Sequence, residues 1–372
     1  MNGCTEAAIS EKKEYLTQQL ITYIGNKRAL LDFIGEGVRK VRKKLQKNKL
    51  KMFDAFSGSG IAARYFKQFS ELLIVNDLEK YSTVINECYL TNESGVNISL
   101  LREYNNELTE KAKKELKSGI ITELYAPACD NDIKGDDRVF YTRRNAMYID
   151  TVRQLTETLP GEMKKFFLAP LLSEASIHAN TSGVFKGFYK NRETGFGQFG
   201  GSNKDALSRI TGDITLPFPI FSNFDCDTVI CNDDSNYIIQ TLPEVDLAYL
   251  DPPYNQHPYG SNYFMLNVIS DYKYPEKISK VSGIPEDWRR SVYNKRNHAL
   301  NALTYLAENI KSKFLLISFN SEGFISEGQM KQTLEKAGKL EVLETEYNVF
   351  RGSRNLNNRG IHVKEYLYLL EK

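Results

Sequence analysis

Metal-binding cysteine spacing is missing from this chain. The five cysteines, Cys4, Cys88, Cys129, Cys226 and Cys231, form no Cys-x-x-Cys pair, and no histidine stands beside Cys226 and Cys231, the closest two. Reduced thiols are therefore expected rather than a zinc site. No uninterrupted apolar run reaches the length of a membrane span, which argues against a transmembrane helix. The opening MNGCTEAAISEKKEYL lacks the basic-then-apolar order of a secretory signal, so a cytoplasmic protein is expected. An excess of one charge is absent too: 49 Lys and Arg face 47 Asp and Glu, leaving a formal +2. Composition by itself thus does not announce a polyanionic partner. Internal repeats and low-complexity tracts are also lacking.

What is present is an ordinary globular composition, 41% apolar over 372 residues, with room for a core domain and a second module. Charge is concentrated locally. Residues 39–51, RKVRKKLQKNKLK, hold eight basic residues and no acid; a solvated helix face is the plainer reading of such a run. Smaller basic clusters stand at Arg143-Arg144, at Lys186, Lys190 and Arg192, at Arg289-Arg290, and at Arg351, Arg354 and Arg359. Those around Lys186 and Arg351 lie among aromatics and glycines, which suits contact with phosphates and bases.

Periodicity divides the chain. Leu30, Leu31, Ile34, Val38, Val41 and Leu45 recur at helical spacing. KMFDAF then reads as a strand ending in the turn Ser57-Gly58-Ser59-Gly60, IAARYFKQF as a helix, ELLIVNDL as a second strand and EKYSTVINECYL as a second helix. This order predicts a doubly wound, mostly parallel α/β sheet. Residues 101–224 break the pattern with helical pieces and a Gly/Asn/Phe-rich stretch. Strand signals return in DTVICNDD, DLAYLDPPY and KFLLISFN, and VKEYLYLLEK alternates like a final edge strand. The expected organisation is one domain from 1–100 and 225–372, interrupted by a largely helical substrate-reading insertion at 101–224.

The chemistry centres on Asp251-Pro252-Pro253-Tyr254. The strand DLAYL delivers Asp251 to the carboxyl edge of the sheet, where open α/β folds place ligands. Two prolines fix successive φ angles and remove two donors. A carbonyl acceptor is thereby presented rigidly beside a carboxylate. An amine conjugated to a purine is a poor nucleophile because its lone pair is delocalised. Two acceptors on its hydrogens, the Asp251 carboxylate and the Pro252 carbonyl, would localise that pair, and the ring of Tyr254 would stack on a base rotated out of a duplex. A structural Pro-Pro turn is the alternative. Against it stand Gly58 and Gly60, which allow backbone to approach a ligand at a strand-to-helix turn. Asp77 follows Asp54 at about the spacing that places an acid on ribose hydroxyls. The spacing fits a nicotinamide cofactor or S-adenosylmethionine; the Asp-Pro-Pro-Tyr turn has no use in hydride transfer. Lys27 in YIGNK could pair with a ligand carboxylate. Asp233 or Asp234 could accept from an adenine amine, or simply cap a helix.

Taken together, YIGNK, DAFSGSG, VNDLEKY, NDDS, DPPY and ISFN, in that order around a large insertion, resemble the Dam-type, alpha-group DNA adenine-N6 methyltransferases, nearest those paired with type IIS restriction enzymes. The resemblance runs over most of the chain. It implies a Rossmann-like class I methyltransferase fold with an antiparallel final strand, S-adenosyl-L-methionine as cofactor and double-stranded DNA as partner. Tyr23, Gly25 and Lys27 would hold the methionine end, while Asp54, Phe56, Ser57, Gly58 and Gly60 would form the cofactor loop. Asp77 would take the ribose and Asp233 or Asp234 the adenine. Lys186, Tyr189, Lys190, Arg192, Arg351 and Arg354 would contact DNA. Neither a metal nor a protein nucleophile is required, and a monomer acting beside a separate endonuclease is expected. An RNA guanine-N2 enzyme is the rival, disfavoured by the early YIGNK segment and the insertion. A cytosine-N4 enzyme would more often carry Ser at position 251, and a non-catalytic relic would tend to lose Asp251 or Tyr254.

Overall fold

A computed structural model describes residues 10–204, 206–348 and 362–372; Arg351, Arg354 and Arg359 lie outside the described residues. Seven strands form one sheet: β1 (Leu50–Asp54), β2 (Ser70–Asn76), β3 (Asp227–Cys231), β4 (Val245–Leu250), β5 (Ser312–Asn320), β6 (Lys339–Asn348) and β7 (His362–Glu371). Their order is β3-β2-β1-β4-β5-β7-β6. The first five pair in parallel, and β7 runs antiparallel to both β5 and β6. This is the doubly wound sheet with an antiparallel final strand that the pattern implied.

Alternation sends neighbouring residues to opposite faces of the sheet. Met52, Leu73, Leu247, Leu316 and Leu369 pack on one face with helix α1 (Leu31–Leu45), whose Ile34, Val38 and Val41 are fully buried. On the other face, Phe53, Ile74, Ala248, Leu315 and Leu370 meet helix α2 (Arg296–Asn309) through Leu303 and Leu306. Runs buried on both faces, such as all six residues of β4, are what parallel strands covered by helices require.

One expectation needs correction, and one charged segment finds its partners. VKEYLYLLEK is not an edge strand: β7 is inserted between β5 and β6, and from Glu365 to Leu370 its side chains are buried. The edge is β6, KLEVLETEYN, whose mixture of acids and apolar residues suits a strand with one open side. The basic run at 39–51 forms intramolecular ion pairs, Lys40 with Glu341 and Lys44 with Glu371 at 2.6 Å, and Lys47 with Asp246 at 2.8 Å. Asp246 is the second residue of β4, so Lys47 lies at the end of the sheet opposite the Asp-Pro-Pro-Tyr turn.

The segment 101–224 contributes no strand to the sheet. Its helices Arg143–Thr156 and Gly161–Ile177 share a core with Tyr81, Val84 and Ile85 of helix α3 (Lys80–Tyr89) and with Phe264, Leu266 and Ile269. It is therefore docked on the domain through a continuous apolar interface. No helix among the described residues is long and apolar enough to cross a membrane.

Candidate active site

Strands β1 and β4 are neighbours at the centre of the sheet, and the strands that follow each of them depart in opposite directions. A crevice opens at such a switch point. The turn after β1 (Phe56 to Gly60) and the turn after β4 (Asp251 to Tyr254) form its walls. Between them lies a cleft enclosing about 900 Å³ of non-atom space, open solvent at its mouth included. Tyr23, Gly25, Lys27, Phe56, Ser57, Gly58, Asp77, Asp234, Asp251, Pro252, Pro253 and Tyr254 all line it. Residues up to 271 positions apart in sequence, from Tyr23 to Asn294, thus meet in one site.

Three of the expected residues lie behind the lining. Asp54 is fully buried beneath the loop: one oxygen accepts from the Phe56 N–H at 3.4 Å and the other has no partner. Burial pushes its carboxyl well above the usual range. Gly60 is the residue before helix Ile61–Lys67 and abuts Asn86. Asp233 hydrogen-bonds within its own turn, accepting from the Asp234 N–H at 2.8 Å. Asp234 caps the short helix Ser235–Ile238 through the Asn236 N–H and still faces the cleft.

Asp77 anchors the glycine loop. Its two oxygens accept from the Gly58 N–H at 2.7 Å and the Glu79 N–H at 2.8 Å, yet burial dominates and its carboxyl rises to about 6. Gly58 has φ +53°, and a Cβ there would lie 2.9 Å from the Tyr23 ring; only glycine suits both the backbone and the contact. Tyr23 is itself stacked against Tyr259 and Tyr263, each at 4.9 Å. The Ile24 N–H donates to the Tyr263 hydroxyl, and the Tyr259 hydroxyl donates to the Ile24 carbonyl. The YIGNK segment is thereby clamped to the chain that follows the catalytic turn. Gly25 has φ +77°, and a Cβ there would lie 3.3 Å from both the Tyr254 and Tyr259 hydroxyls.

At the catalytic turn, Asp251 is held 3.3 Å from the Lys27 ammonium. Lys27 is almost wholly buried and makes a closer pair, at 2.7 Å, with Glu365 of β7. Its ammonium is therefore already engaged by two protein carboxylates, which counts against the expected pairing with a ligand carboxylate. Burial alone would lower the Lys27 pKa, but Asp251 and then Glu365 outweigh it and hold the ammonium charged well above the usual range. Asp251 moves differently, because it has only a share of one ammonium. Burial lifts its carboxyl to about 7, Lys27 opposes this, and Glu365 adds to it. The folded protein thus retains a proton that the unfolded chain releases near pH 4. This group's contribution to stability falls as pH rises from there through about 7. Asp251 is an ionised acceptor only above that range. Pro252 is buried, and among the described residues its carbonyl accepts no hydrogen bond. The Tyr254 ring meets Phe319 edge-on at 6.2 Å, with Lys27 5.9 Å from its centroid.

Sequence reasoning missed several site residues. Glu79 lines the cleft, accepts from the Asn267 amide at 2.6 Å, and is pushed up to about 8 chiefly by burial. Arg289 lines the same cleft and bonds the Leu78 carbonyl at 2.6 Å. Phe56 meets Tyr293 edge-on at 5.1 Å, beside Asn294. Glu365 had a legible signal. In β7 it occupies the same phase as Val363, Leu367 and Leu369, where an apolar residue is expected.

The expected DNA-contacting loop lies beside the catalytic turn. The Phe185 N–H donates to the Asn262 carbonyl at 2.7 Å, and Lys186 lies within electrostatic reach of His257. Lys186, Lys190 and Arg192 are exposed, and Lys190 sits 5.4 Å over the Phe188 ring. Tyr189 is half-buried and packs on Gly201.

Residues 23–333 match the family described as D12 class N6 adenine-specific DNA methyltransferase. The chain is 30% identical over 361 residues to the type II methyltransferase M.NlaIII of Neisseria lactamica, covering 95% of this chain and 99% of that one. It is 29% identical over 358 residues to the type II methyltransferase M.CviAII of Paramecium bursaria Chlorella virus 1, covering 94% and 98%. Against the type II methyltransferase M.FokI of Planomicrobium okeanokoites it is 26% identical over 359 residues, spanning 94% of this chain but 52% of the relative. A chain that joins a glycine loop and an Asp-Pro-Pro-Tyr turn in one cleft, and that matches across most of its length, belongs to the D12 class of N6 adenine-specific DNA methyltransferases.

Proposed function

We propose that this chain transfers the methyl group of S-adenosylmethionine to N6 of an adenine rotated out of double-stranded DNA, within one short recognition sequence. We further propose that it works in the cytoplasm, as a monomer, as the modification partner of a separate restriction endonuclease. The observation that supports this most is the single cleft shared by the glycine loop and the Asp-Pro-Pro-Tyr turn. The residues present suit this cofactor. Aromatic rings of Phe56 and Tyr293, the acids Asp77, Glu79 and Asp234, and a buried, unpartnered Asn294 Oδ1 offer stacking surfaces and acceptors for a nucleoside. Tyr23, Gly25 and Gly58 would shape the methionine end, and Asp54 would support the loop from beneath. S-adenosylmethionine, when bound, supplies an electrophilic methyl group.

The protein's part is to prepare the amine. The Asp251 carboxylate and the Pro252 carbonyl would each accept an N6 hydrogen, drawing the lone pair out of conjugation. Methyl transfer adds a carbon to N6 and sheds one N6 proton. Asp251 is placed to take that proton, and its raised proton affinity suits the task. Tyr254 would stack on the extruded base, while Lys186, Tyr189, Lys190 and Arg192, with Arg351 and Arg354, would contact DNA. Tyr254→Ala is expected to lower kcat/KM by roughly 1–3 kcal/mol, as lost base–aromatic stacking does. A steady-state rate equal to that of the parent protein would remove Tyr254 from the site.

Modified-base sequencing of plasmid DNA from cells expressing the chain tests the whole reading. N6-methyladenine confined to one short motif is the expected result. Its absence would overturn the proposal and direct the search to RNA.

A further inference from the structure

Glu365 is wholly buried, pairs with the Lys27 ammonium, and does not line the cleft. Its strand neighbours in the same phase, Val363, Leu367 and Leu369, are apolar and buried. A carboxylate costs several kcal/mol to bury and is a poor way to fill such a position. Its partners show what it does. One oxygen accepts from both the Lys27 ammonium, at 2.7 Å, and the Ser318 hydroxyl; the other has no partner. The ammonium in turn lies 3.3 Å from Asp251, so the carboxylate outside the cleft holds it more closely than the carboxylate inside.

We propose that Glu365 is a positioning residue for methyl transfer: by drawing the Lys27 ammonium toward itself, it leaves Asp251 a stronger acceptor for the target amine than a simple Lys–Asp ion pair would. This rests on Asp251 being the amine acceptor. An ammonium that serves one buried carboxylate collapses onto it and saturates it. Shared between two, it orients Asp251 without consuming it. Only a strand paired with β5 brings Glu365 beside Ser318 and, across the sheet end, within reach of Lys27. The proton affinity of Asp251 is consistent with partial neutralisation. The charged and titratable groups that face it are Lys27, Glu365, Asp54, Tyr249, Tyr254 and Tyr259. Burial raises all three phenols, so they stay neutral through the relevant range. Asp54 is common to every variant below.

The test is kcat/KM as a function of pH for the parent enzyme and for Glu365→Gln, together with cofactor affinity and thermal unfolding. The parent should show an acid limb with its midpoint at about 7. In Glu365→Gln, Lys27 serves Asp251 alone. The limb should move down by about one pH unit, and kcat on the plateau should fall about tenfold. Cofactor affinity should change by less than about threefold, since Glu365 lies outside the cleft. A uniform loss at every pH with the limb in place would mean that Glu365 only stabilises the fold, and would overturn the proposal. Should that variant fail to fold, Ser318→Ala decides. Losing the hydroxyl donor leaves Glu365 a stronger partner for Lys27, so the limb should move up; an unmoved limb overturns the proposal. Failure of the underlying reading looks different: Asp251→Ala would retain transfer, or the parent would show no limb near neutrality.

Discussion

Asp251→Ala will reduce methyl transfer by at least about a thousandfold while cofactor affinity stays close to that of the parent protein. The expectation follows from which part of the reaction the carboxylate serves. An adenine amine has almost no free lone pair, and both acceptors must act on its hydrogens as the nitrogen pyramidalises. Alanine leaves the Pro252 carbonyl alone, and neither it nor any neighbour can take the departing N6 proton. The glycine loop, Asp77 and the aromatic pair of Phe56 and Tyr293 are untouched by the change. The variant should also fold well. Removing Asp251 leaves Lys27 paired with Glu365 at 2.7 Å, a neutral couple. It also removes a carboxylate that the fold holds against its preference for the neutral form. Unfolding at pH 8 should therefore be no easier than in the parent. Methylation would be followed by transfer of labelled methyl to DNA, and binding by titration calorimetry with S-adenosylmethionine. Weakened binding with turnover retained would reverse the role given to this residue.

The second large effect belongs to Lys27→Met, and it should appear in stability and activity together. Methionine fills much of the lysine volume but leaves Asp251 and Glu365 buried near each other without a cation. Breaking a buried pair by removing one partner typically costs about 3–5 kcal/mol, and here the loss should depend on pH. At pH 6 the Asp251 carboxyl is largely protonated already, given its value of about 7, so the penalty falls on Glu365 alone and is smaller. At pH 8 both acids must ionise or hold a proton against the solvent, and the penalty is larger. Urea unfolding at the two pH values separates this from a simple packing defect, which would cost the same at both. Activity should fall by at least about a hundredfold at pH 8, because Asp251 would then stay protonated. Adding Glu365→Gln should restore part of the stability, since one of the stranded charges is gone, without restoring transfer. Equal stability of Lys27→Met and the parent at pH 8 would mean that the ammonium does not carry the network.

Much of the fold was legible because it depends on local pattern. β1 to β5 and helix α3 fall where short apolar runs and helical spacing put them, since a strand buried on both faces has no polar phase to hide it. The glycine loop and the catalytic turn were legible for a related reason. Their residue types are dictated by backbone geometry, as the positive φ angles of Gly25 and Gly58 show. The antiparallel end of the sheet was less so. β6 mixes acids with apolar residues, and β7 alternates only at its start, so neither pattern states which of the two is outermost. Glu79 and Glu365 were missed because an acid in a sequence reads as exposed. Their buried state depends on partners, Asn267 for one and Lys27 with Ser318 for the other, that are distant along the chain.

The sequence by itself determined the order of β1 to β5 and of β7, though not the presence of β6, together with the two turns that meet at the sheet's carboxyl edge and the reaction class that an Asp-Pro-Pro-Tyr turn beside a glycine loop can serve. These are properties of short segments, set by side-chain periodicity and by the few residues that special backbone angles tolerate. Only the tertiary structure decided that Lys27 pairs with Asp251, that β7 lies inside the sheet, and that Glu365 completes the charge network. Electrostatic energies depend on distance and on exclusion of water, and both are set by which segments the fold packs together.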